Sequence, residues 1–363
     1  MMAKKNHWIL PEGIEEILPP KALQLENLCR DIIDLYTCWG YQLVIPPLIE
    51  YLDSLLTGTG EDLDLQTFKL TDQLSGRTLG IRADTTPQVA RIDAHKFVRD
   101  VPTRLCYLGT VLHTRPEESG GSRSPLQIGA ELYGHKGIES DAEVLWLMLE
   151  TLKTAGVTDV YVDLGHVGIY KGLARQAGLN CKQEIQLFSI LQRKSAAELT
   201  ALAKSWELTA DISDMFRYLI EASGDVSILK DAQQALVKAS DVVKCCLDDL
   251  QRVAEIVTNR LPDTSLNFDL AELRGYHYHT GIVFAAYVPG QGQGIAFGGR
   301  YDDIGNAYGR ARPATGFSTD IKTLIGLSSI DVSQRQGIYA PVSDDPGLIK
   351  MIKQLRQKGE IVI

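Results

Sequence analysis

Apolar positions recur with two different periods along the first part of the chain. Residues 23–39 and 141–155 show helical spacing, whereas residues 41–45, 105–113 and 126–133 show the pattern of strands. These strands follow one another with few crossover helices between them, which favours an antiparallel sheet. Residues 1–166 are therefore predicted to form the first part of an α+β core.

Strand patterns disappear in the next stretch of the chain. Residues 182–193, 195–203 and 229–258 repeat their apolar positions at the helical period. We therefore predict that residues 167–262 form an all-helical insertion.

Strand patterns return after this insertion, at residues 266–270 and 283–288. Residues 263–328 are predicted to be the second part of the core, and residues 329–363 to be a short C-terminal βαβ-type tail. Because the chain stops inside the last strand of that tail, we expect the unit to continue beyond Ile363.

Composition places the chain among globular proteins. Its residues are 44% hydrophobic and 23% charged, and the formal net charge is −9, which weakly disfavours a nucleic-acid partner. No apolar run is as long as a membrane span, and the N-terminus lacks the apolar stretch of a signal peptide. The six cysteines show no CxxC spacing, so buried thiols are expected rather than disulfides. These features predict a cytoplasmic protein.

Candidate chemistry appears where two predicted strands flank a polar, glycine-rich loop at residues 115–124. Gln127 and Glu131 are four residues apart on the second strand, so they lie on one face of the sheet. Polar and acidic groups on a buried face are costly unless a ligand or partner satisfies them. The pair therefore indicates a binding site, and a solvated strand face is the alternative.

Several segments of the chain resemble the motifs of histidyl-tRNA synthetases, which are class II aminoacyl-tRNA synthetases. They are Arg82-Ala83-Asp84-Thr85-Thr86-Pro87, the strand–loop–strand at 105–134, Arg274-Gly275-Tyr276-His277-Tyr278-His279-Thr280-Gly281 and Phe297-Gly298-Gly299-Arg300-Tyr301-Asp302. The resemblance implies a class II synthetase-like fold, in which helices flank an antiparallel sheet, and a pocket that binds histidine. It assigns ligand contacts to Asp84, Thr86, Gln127, Glu131, Arg274, Tyr278 and His279, and pocket-lining positions to Arg115, Gly298, Gly299 and Arg300.

The chain departs from that family at the positions that hold ATP. His113 stands where the synthetases carry a phosphate-binding arginine, and Arg115 stands where they carry an acidic residue. In the segment at 314–324, Thr323 replaces a second ATP-binding arginine, and Asp320 replaces a small residue. Losing a charge-assisted phosphate contact costs about 1.5–3 kcal/mol of binding, so we expect no useful adenylation. Residues 329–363 are also too few for an anticodon-binding domain, so no tRNA partner is expected.

With these departures, residues 8–325 resemble the ATP phosphoribosyltransferase regulatory subunits, a family of histidyl-tRNA synthetase-like paralogues. The resemblance implies a non-catalytic protein of histidine biosynthesis that binds L-histidine and mediates feedback inhibition. It also implies a homodimer formed through the region after Leu10, and a hetero-octamer with a short catalytic subunit that the chain activates. No cofactor, metal or membrane partner is expected.

Alternatives remain for the whole chain and for single residues. The chain could be a structural activator with a vestigial pocket, or a divergent histidyl-tRNA synthetase. Asp84 could cap a helix at residues 87–97, Arg274 could be a structural ion-pair partner, and Gly298 with Gly299 could serve close packing. His113, His277 and His279 could ligate a metal, but no carboxylate or cysteine cluster completes such a set.

Overall fold

The structure is a computed structural model that describes residues 9–58, 61–116, 121–272, 275, 278–330 and 337–363. Most of the described strands form one nine-stranded sheet, and three others form a small antiparallel sheet beside it. The strands are β1 Gln42–Val44, β2 Ile49–Tyr51, β3 Phe68–Thr71, β4 Thr78–Ile81, β5 Thr103–Thr110, β6 Leu126–Tyr133, β7 Tyr161–His166, β8 Ser223–Gly224, β9 Ser265–Asp269, β10 Ile282–Tyr287, β11 Ala296–Arg300 and β12 Ala314–Asp320.

Helices cover the large sheet and make up most of the middle of the chain. They are α1 Lys21–Cys38, α2 Leu52–Leu55, α3 Glu61–Gln66, α4 Thr86–Lys96, α5 Ile138–Thr154, α6 Val167–Gln176, α7 Cys181–Gln192, α8 Ala196–Ser205, α9 Ala210–Glu221, α10 Ser227–Ala235, α11 Asp241–Arg260, α12 Ile321–Leu327 and α13 Pro346–Gln357, with a 3₁₀ turn at Ile304–Tyr308. None of these helices is long and apolar enough to cross a membrane.

The large sheet has the strand order β1-β5-β6-β12-β11-β10-β7-β9-β8. Its central pairings are antiparallel, as the sequence predicts, and helices flank them, so the α+β class is confirmed. Two pairings towards the edges, β1 with β5 and β7 with β9, are parallel instead. Parallel neighbours require a long connection, and long stretches of chain separate the two strands of each pair.

The core lies between the large sheet and the helices α1 and α5. Leu28, Ile32 and Tyr36 of α1 are buried at helical spacing, so one face of this helix packs inwards. Tyr36 meets Phe317 of β12 edge-on, with ring centroids 6.1 Å apart, and accepts a hydrogen bond from Thr151 of α5 at 3.2 Å. These contacts fix the central strands, which carry the candidate site.

Residues 167–260 form the six helices α6–α11, called here the helical stretch. The expectation of a wholly helical segment is wrong at Ser223–Gly224, which add a two-residue strand to β9. In the tail, a parallel bridge joins Ile338 to Val362 on either side of α13. The helix of the predicted βαβ-type tail is α13.

Candidate functional site

Glu131 lies in the middle of the sheet, on β6, where only 1% of its surface is exposed. The register places it opposite Gly316 of β12. A Cβ atom built on Gly316 would lie 1.5 Å from Glu131 Oε2, so the carboxyl group occupies space that any other residue at 316 would fill. Gly316 is therefore as much a part of this site as Glu131.

Three hydroxyl groups surround the Glu131 carboxyl group. Thr86 Oγ1 and Tyr107 OH lie 3.1 and 3.2 Å from Oε1, and Tyr301 OH donates to Oε2. Burial and, to a smaller extent, the negative charge of Asp84 raise the pKa of Glu131 from its ordinary 4.5 to about 8, although the hydrogen bonds from the hydroxyl groups lower it. Glu131 is consequently mostly protonated at neutral pH.

Asp84 and Gln127 form the second half of the site. Gln127 Nε2 donates to Asp84 Oδ1 at 2.8 Å and to Ser318 Oγ at 3.2 Å, and Gln127 Oε1 accepts from the Thr85 amide at 3.0 Å. Asp84 Oδ1 also accepts from the Thr86 amide at the start of α4, at 3.1 Å. Asp84 thus supports the helix start while its carboxylate faces the site. We call Asp84, Thr86, Gln127 and Glu131 the polar cluster.

Tyr278 and His279 border the polar cluster on one side. The Tyr278 ring stacks on Tyr301, with centroids 4.9 Å apart, and its hydroxyl is buried without a hydrogen-bond partner among the described residues. His279 lies edge-on to Tyr278, and its Nδ1 is 3.3 Å from the Arg300 carbonyl. Burial lowers the pKa of His279 to about 4, so its ring is neutral. Arg274 and His277 lie outside the described residues.

An open cavity of about 420 Å³ adjoins the polar cluster. Asp84 and Gln127 line it, together with His113, Phe297 and Ser318, whereas Glu131, Tyr278 and His279 lie outside its wall. Within the described ranges the lining contains no lysine or arginine. The cavity is therefore poorly suited to a polyphosphate.

Asp320, the cross-strand partner of Gln127, also lines the cavity and is hydrogen-bonded within its own chain. Its Oδ1 accepts from the amides of Lys322 and Leu126 at 3.1 and 2.9 Å, and its Oδ2 accepts from Thr323 Oγ1 at 3.0 Å. Asp320 is thus the N-cap of α12. The Lys322 ammonium group donates to Ser124 Oγ at 3.2 Å.

His113 also lines this cavity and is itself buried. Its Nε2 lies 2.9 Å from the Ala83 carbonyl, and its Nδ1 has no partner among the described residues. Since the carbonyl oxygen can only accept, Nε2 is the donor in this contact. The described residues include no group of three or more His, Cys, Asp or Glu side chains able to hold a metal ion.

The other expected pocket residues are placed differently. Arg300 is buried in an ion pair with Asp141 of α5, with Nη2 and Oδ2 2.8 Å apart, and it also contacts Ser140 and Asp302. Its guanidinium group therefore ties β11 to α5 and is not in the polar cluster. Arg115 is exposed, at the edge of the described part of its loop.

Gly298 and Gly299 are positions of close packing. A Cβ atom added to Gly298 would lie 2.4 Å from the Phe284 ring, and one added to Gly299 would lie 2.5 Å from the Ile282 carbonyl oxygen.

Sequence reasoning did not assign Tyr107, Tyr301, Gly316 or Ser318 to the site. A period-two pattern identifies the face of one strand, but it does not give the register with the strand beside it.

Comparisons with known proteins identify the family. Residues 13–324 match the family model described as histidyl-tRNA synthetase, and residues 335–363 match the model described as ATP phosphoribosyltransferase subunit HisZ C-terminal domain. The ATP phosphoribosyltransferase regulatory subunit of Thioalkalivibrio sulfidiphilus is 57% identical over 363 residues, which are 100% of this chain and 92% of the relative. That of Methylococcus capsulatus is 55% identical over 361 residues, 99% of this chain and 89% of the relative.

The chain belongs to the ATP phosphoribosyltransferase regulatory subunits. Among solved structures, the ATP phosphoribosyltransferase regulatory subunit/histidyl-tRNA synthetase of Bacillus halodurans has a TM-score of 0.88 at 27% identity, covering 100% of this chain and 93% of that one. The histidyl-tRNA synthetase of Nostoc has a TM-score of 0.80 at 21% identity, covering 99% and 86%, and shares the fold.

Proposed function

We propose that this chain catalyses no reaction itself, binds L-histidine at the polar cluster, and so regulates a short ATP phosphoribosyltransferase catalytic subunit. Membership of the regulatory-subunit family supports the regulatory role. The observation that carries the ligand assignment is the buried Glu131 carboxyl group in the space left by Gly316, with Asp84 and Gln127 beside it.

The chemistry of the polar cluster suits a zwitterion with an imidazole ring. Asp84 and Gln127, which border the open cavity, offer a carboxylate and an amide to the ammonium group of the ligand. Glu131 and the tyrosine hydroxyls around it offer polar contacts to the imidazole. The family resemblance assigns the ligand carboxylate to Arg274.

Two features support a role without adenylation. The family resemblance sets Asp320 at a position where a nucleotide would lie, and its carboxylate already accepts three hydrogen bonds. The resemblance also sets His113 and Thr323 at the positions of the two arginines that bind ATP in the synthetases. A lysine at 322 is a weak substitute for these fork-shaped donors, because its ammonium group is turned towards Ser124.

Regulation requires that histidine bind two states of the complex with unequal affinity. A difference of about 1–3 kcal/mol is typical of such coupling between sites. In our proposal the empty chain activates the catalytic subunit, and the occupied chain inhibits it. The family resemblance implies that this occurs in a hetero-octamer built on a homodimer of this chain.

The test combines calorimetry of the chain alone with inhibition of the reconstituted complex. We expect saturable binding of L-histidine, no binding of ATP, and histidine inhibition that is weakened at least about tenfold by Glu131→Gln while assembly stays intact. Glu139→Gln is the matched control, because Glu139 of α5 forms an exposed ion pair with Arg252 of α11 and lies outside the polar cluster. Unchanged inhibition in Glu131→Gln would count against the pocket assignment.

A purely structural activator is the second candidate, and one observation favours it. Both Glu131 oxygens already have hydroxyl partners, and Tyr278 stacks on Tyr301 beside them, so the open cavity does not reach Glu131. This candidate predicts activation of the catalytic subunit with no heat of histidine binding. Clear ATP binding would instead revive a divergent histidyl-tRNA synthetase.

A further inference from the structure

The first helix of the helical stretch contacts the backbone beside the polar cluster. Lys171 Nζ of α6 donates to the carbonyl of His279 at 2.8 Å, and the Val167 amide donates to the carbonyl of Gly281 at 3.1 Å. We call residues 278–281 the pocket segment. Two donors from one helix therefore hold two carbonyl groups of a short segment that carries a proposed ligand contact.

Lys171 is half-buried where it makes this contact. Burial lowers the pKa of its ammonium group, while the carboxylates of Asp303 and Glu184 act in the opposite direction. A partly desolvated cation needs good acceptors, and the His279 carbonyl supplies one. The contact therefore stabilises both the lysine and the pocket segment.

An adjacent face of α6 is seated tightly on α11. A Cβ atom on Gly168 would lie 2.6 Å from Cys246 Sγ, and one on Gly172 would lie 2.6 Å from Val243 Cγ2. Close-packed interfaces of this kind transmit displacement because there is no free space to absorb it. A shift of α6 would therefore shift α11.

The pocket segment is also connected to Glu131. Tyr278 stacks on Tyr301, and the Tyr301 hydroxyl donates to the Glu131 carboxyl group. On its other side the Thr280 amide donates to the Arg300 carbonyl of β11 at 2.7 Å. A ligand that displaces the Tyr301 hydroxyl from Glu131 must disturb this stack, and with it the segment that Lys171 holds.

We propose that Lys171 is a positioning residue that couples the ligand pocket to the helical stretch, so that α6 and α11 respond when L-histidine occupies the polar cluster. This inference rests on the proposed function for its ligand. In this proposal the helical stretch transmits the effect of ligand binding from the pocket towards the rest of the complex.

The first arm of the test needs no ligand. Hydrogen exchange of the full chain is compared among wild type, Lys171→Met, Lys171→Arg and Lys238→Met. In Lys171→Met we expect exchange at the pocket-segment amides to accelerate about tenfold or more, since a hydrogen bond to a charged group is lost. Lys171→Arg should largely restore protection by keeping the donor. Lys238→Met is the control, because Lys238 pairs with Asp211 on the surface of the same helical stretch. Unchanged exchange in Lys171→Met would show that Lys171 does not hold the pocket segment.

The second arm adds L-histidine. In wild type and Lys238→Met, the ligand should slow exchange in both the pocket segment and α11. In Lys171→Met, saturating histidine should slow exchange around Glu131 while the response of α11 is lost, and histidine inhibition of the complex should weaken. An undiminished α11 response would refute the coupling. If wild type binds no histidine, the proposed function and the coupling both fail, whereas the first arm still decides whether Lys171 holds the segment.

Discussion

At the scale of single residues, the site depends on a carboxyl group that the fold keeps away from water. Glu131 is surrounded by hydroxyl groups that can either donate or accept, so the same partners serve its neutral and its ionised form. A cationic imidazole or ammonium group bound nearby would favour the ionised form of Glu131. In our proposal, ligand binding is therefore linked to the protonation of Glu131.

The raised pKa of Glu131 gives a stability prediction. The folded chain binds a proton at Glu131 between the ordinary pKa of 4.5 and about 8, whereas the unfolded chain does not. Glu131 should therefore lower the free energy of unfolding as pH rises through this window, by up to about 1.4 kcal/mol per pH unit. In Glu131→Gln this contribution to the slope should disappear. Urea unfolding at pH 5.5, 7 and 8.5 should therefore show the variant gaining stability relative to wild type as the pH rises. Parallel curves would contradict the assigned pKa.

The space opposite Glu131 gives a second prediction. Gly316→Ala would place a methyl group against Glu131 Oε2, so the carboxyl group must move and histidine binding should be lost in calorimetry. Gly326→Ala is the control, because that α12 position has nothing within 4 Å of an added Cβ. The control should bind normally and gain up to about 1 kcal/mol from the better helix former. Normal histidine binding by Gly316→Ala would show that Gly316 is not part of the binding site.

Sequence reasoning reached part of this site for identifiable reasons. Gln127 and Glu131 share a strand, and two-residue alternation is enough to place them on one face. Gly316 belongs to β12 and Tyr301 follows the end of β11, and their position opposite or beside Glu131 depends on a register that only tertiary packing fixes. Whether the assigned residues bind histidine stays a prediction.

At the scale of elements, buried polar pairs join strands to helices. Arg300 and Asp141 connect β11 to α5, and Arg312 similarly contacts Asp93 of α4 at 2.8 Å. Both pairs are buried, so removing one partner leaves a charge without compensation. Arg300 therefore contributes to the architecture behind the pocket.

Arg300→Met should lower the free energy of unfolding by about 3–5 kcal/mol, because Asp141 is left buried and unpaired. The double variant Arg300→Met/Asp141→Leu should recover much of this loss, and chemical denaturation of the four members of the cycle measures the coupling. A loss of histidine affinity without loss of stability would instead favour a direct role for Arg300 in the pocket.

Some elements were predictable from local pattern and others were not. The bounds of β6 agree with the prediction because a regular pattern ends there at a polar loop and at Gly134. The three-residue strand β2 follows two prolines and is too short to show a period. Parallel pairing at the sheet edges depends on crossovers through distant parts of the chain, which alternation does not reveal.

At the scale of the whole molecule, apolar side chains are exposed on the elements near the N-terminus. Leu18, Leu23, Ile45, Leu48 and Ile49 are all exposed, and Ile45 is exposed to 80%. Large exposed apolar surfaces often mark protein–protein contacts. Their position after Leu10 agrees with the homodimer that we propose.

Substituting one of these residues tests the homodimer. Ile45→Glu would place a charge in the proposed interface and should shift the sedimentation coefficient of the isolated chain from dimer to monomer, with at least about a tenfold weaker dimer. Val226→Glu, at a position exposed to 50% on the helical stretch, should leave the dimer unchanged. Equal behaviour of the two variants would place the dimer contact elsewhere.

Asp320 has an evolutionary consequence. It accepts the hydrogen bonds that begin α12 and hold the first amide of β6, so a substitution that removes its carboxylate also removes these supports. In our proposal this chain does not bind ATP, and an arginine introduced at 323 alone would still lie beside the Asp320 carboxylate. A gain of nucleotide binding would therefore need a second substitution at 320, and that substitution would weaken the start of α12.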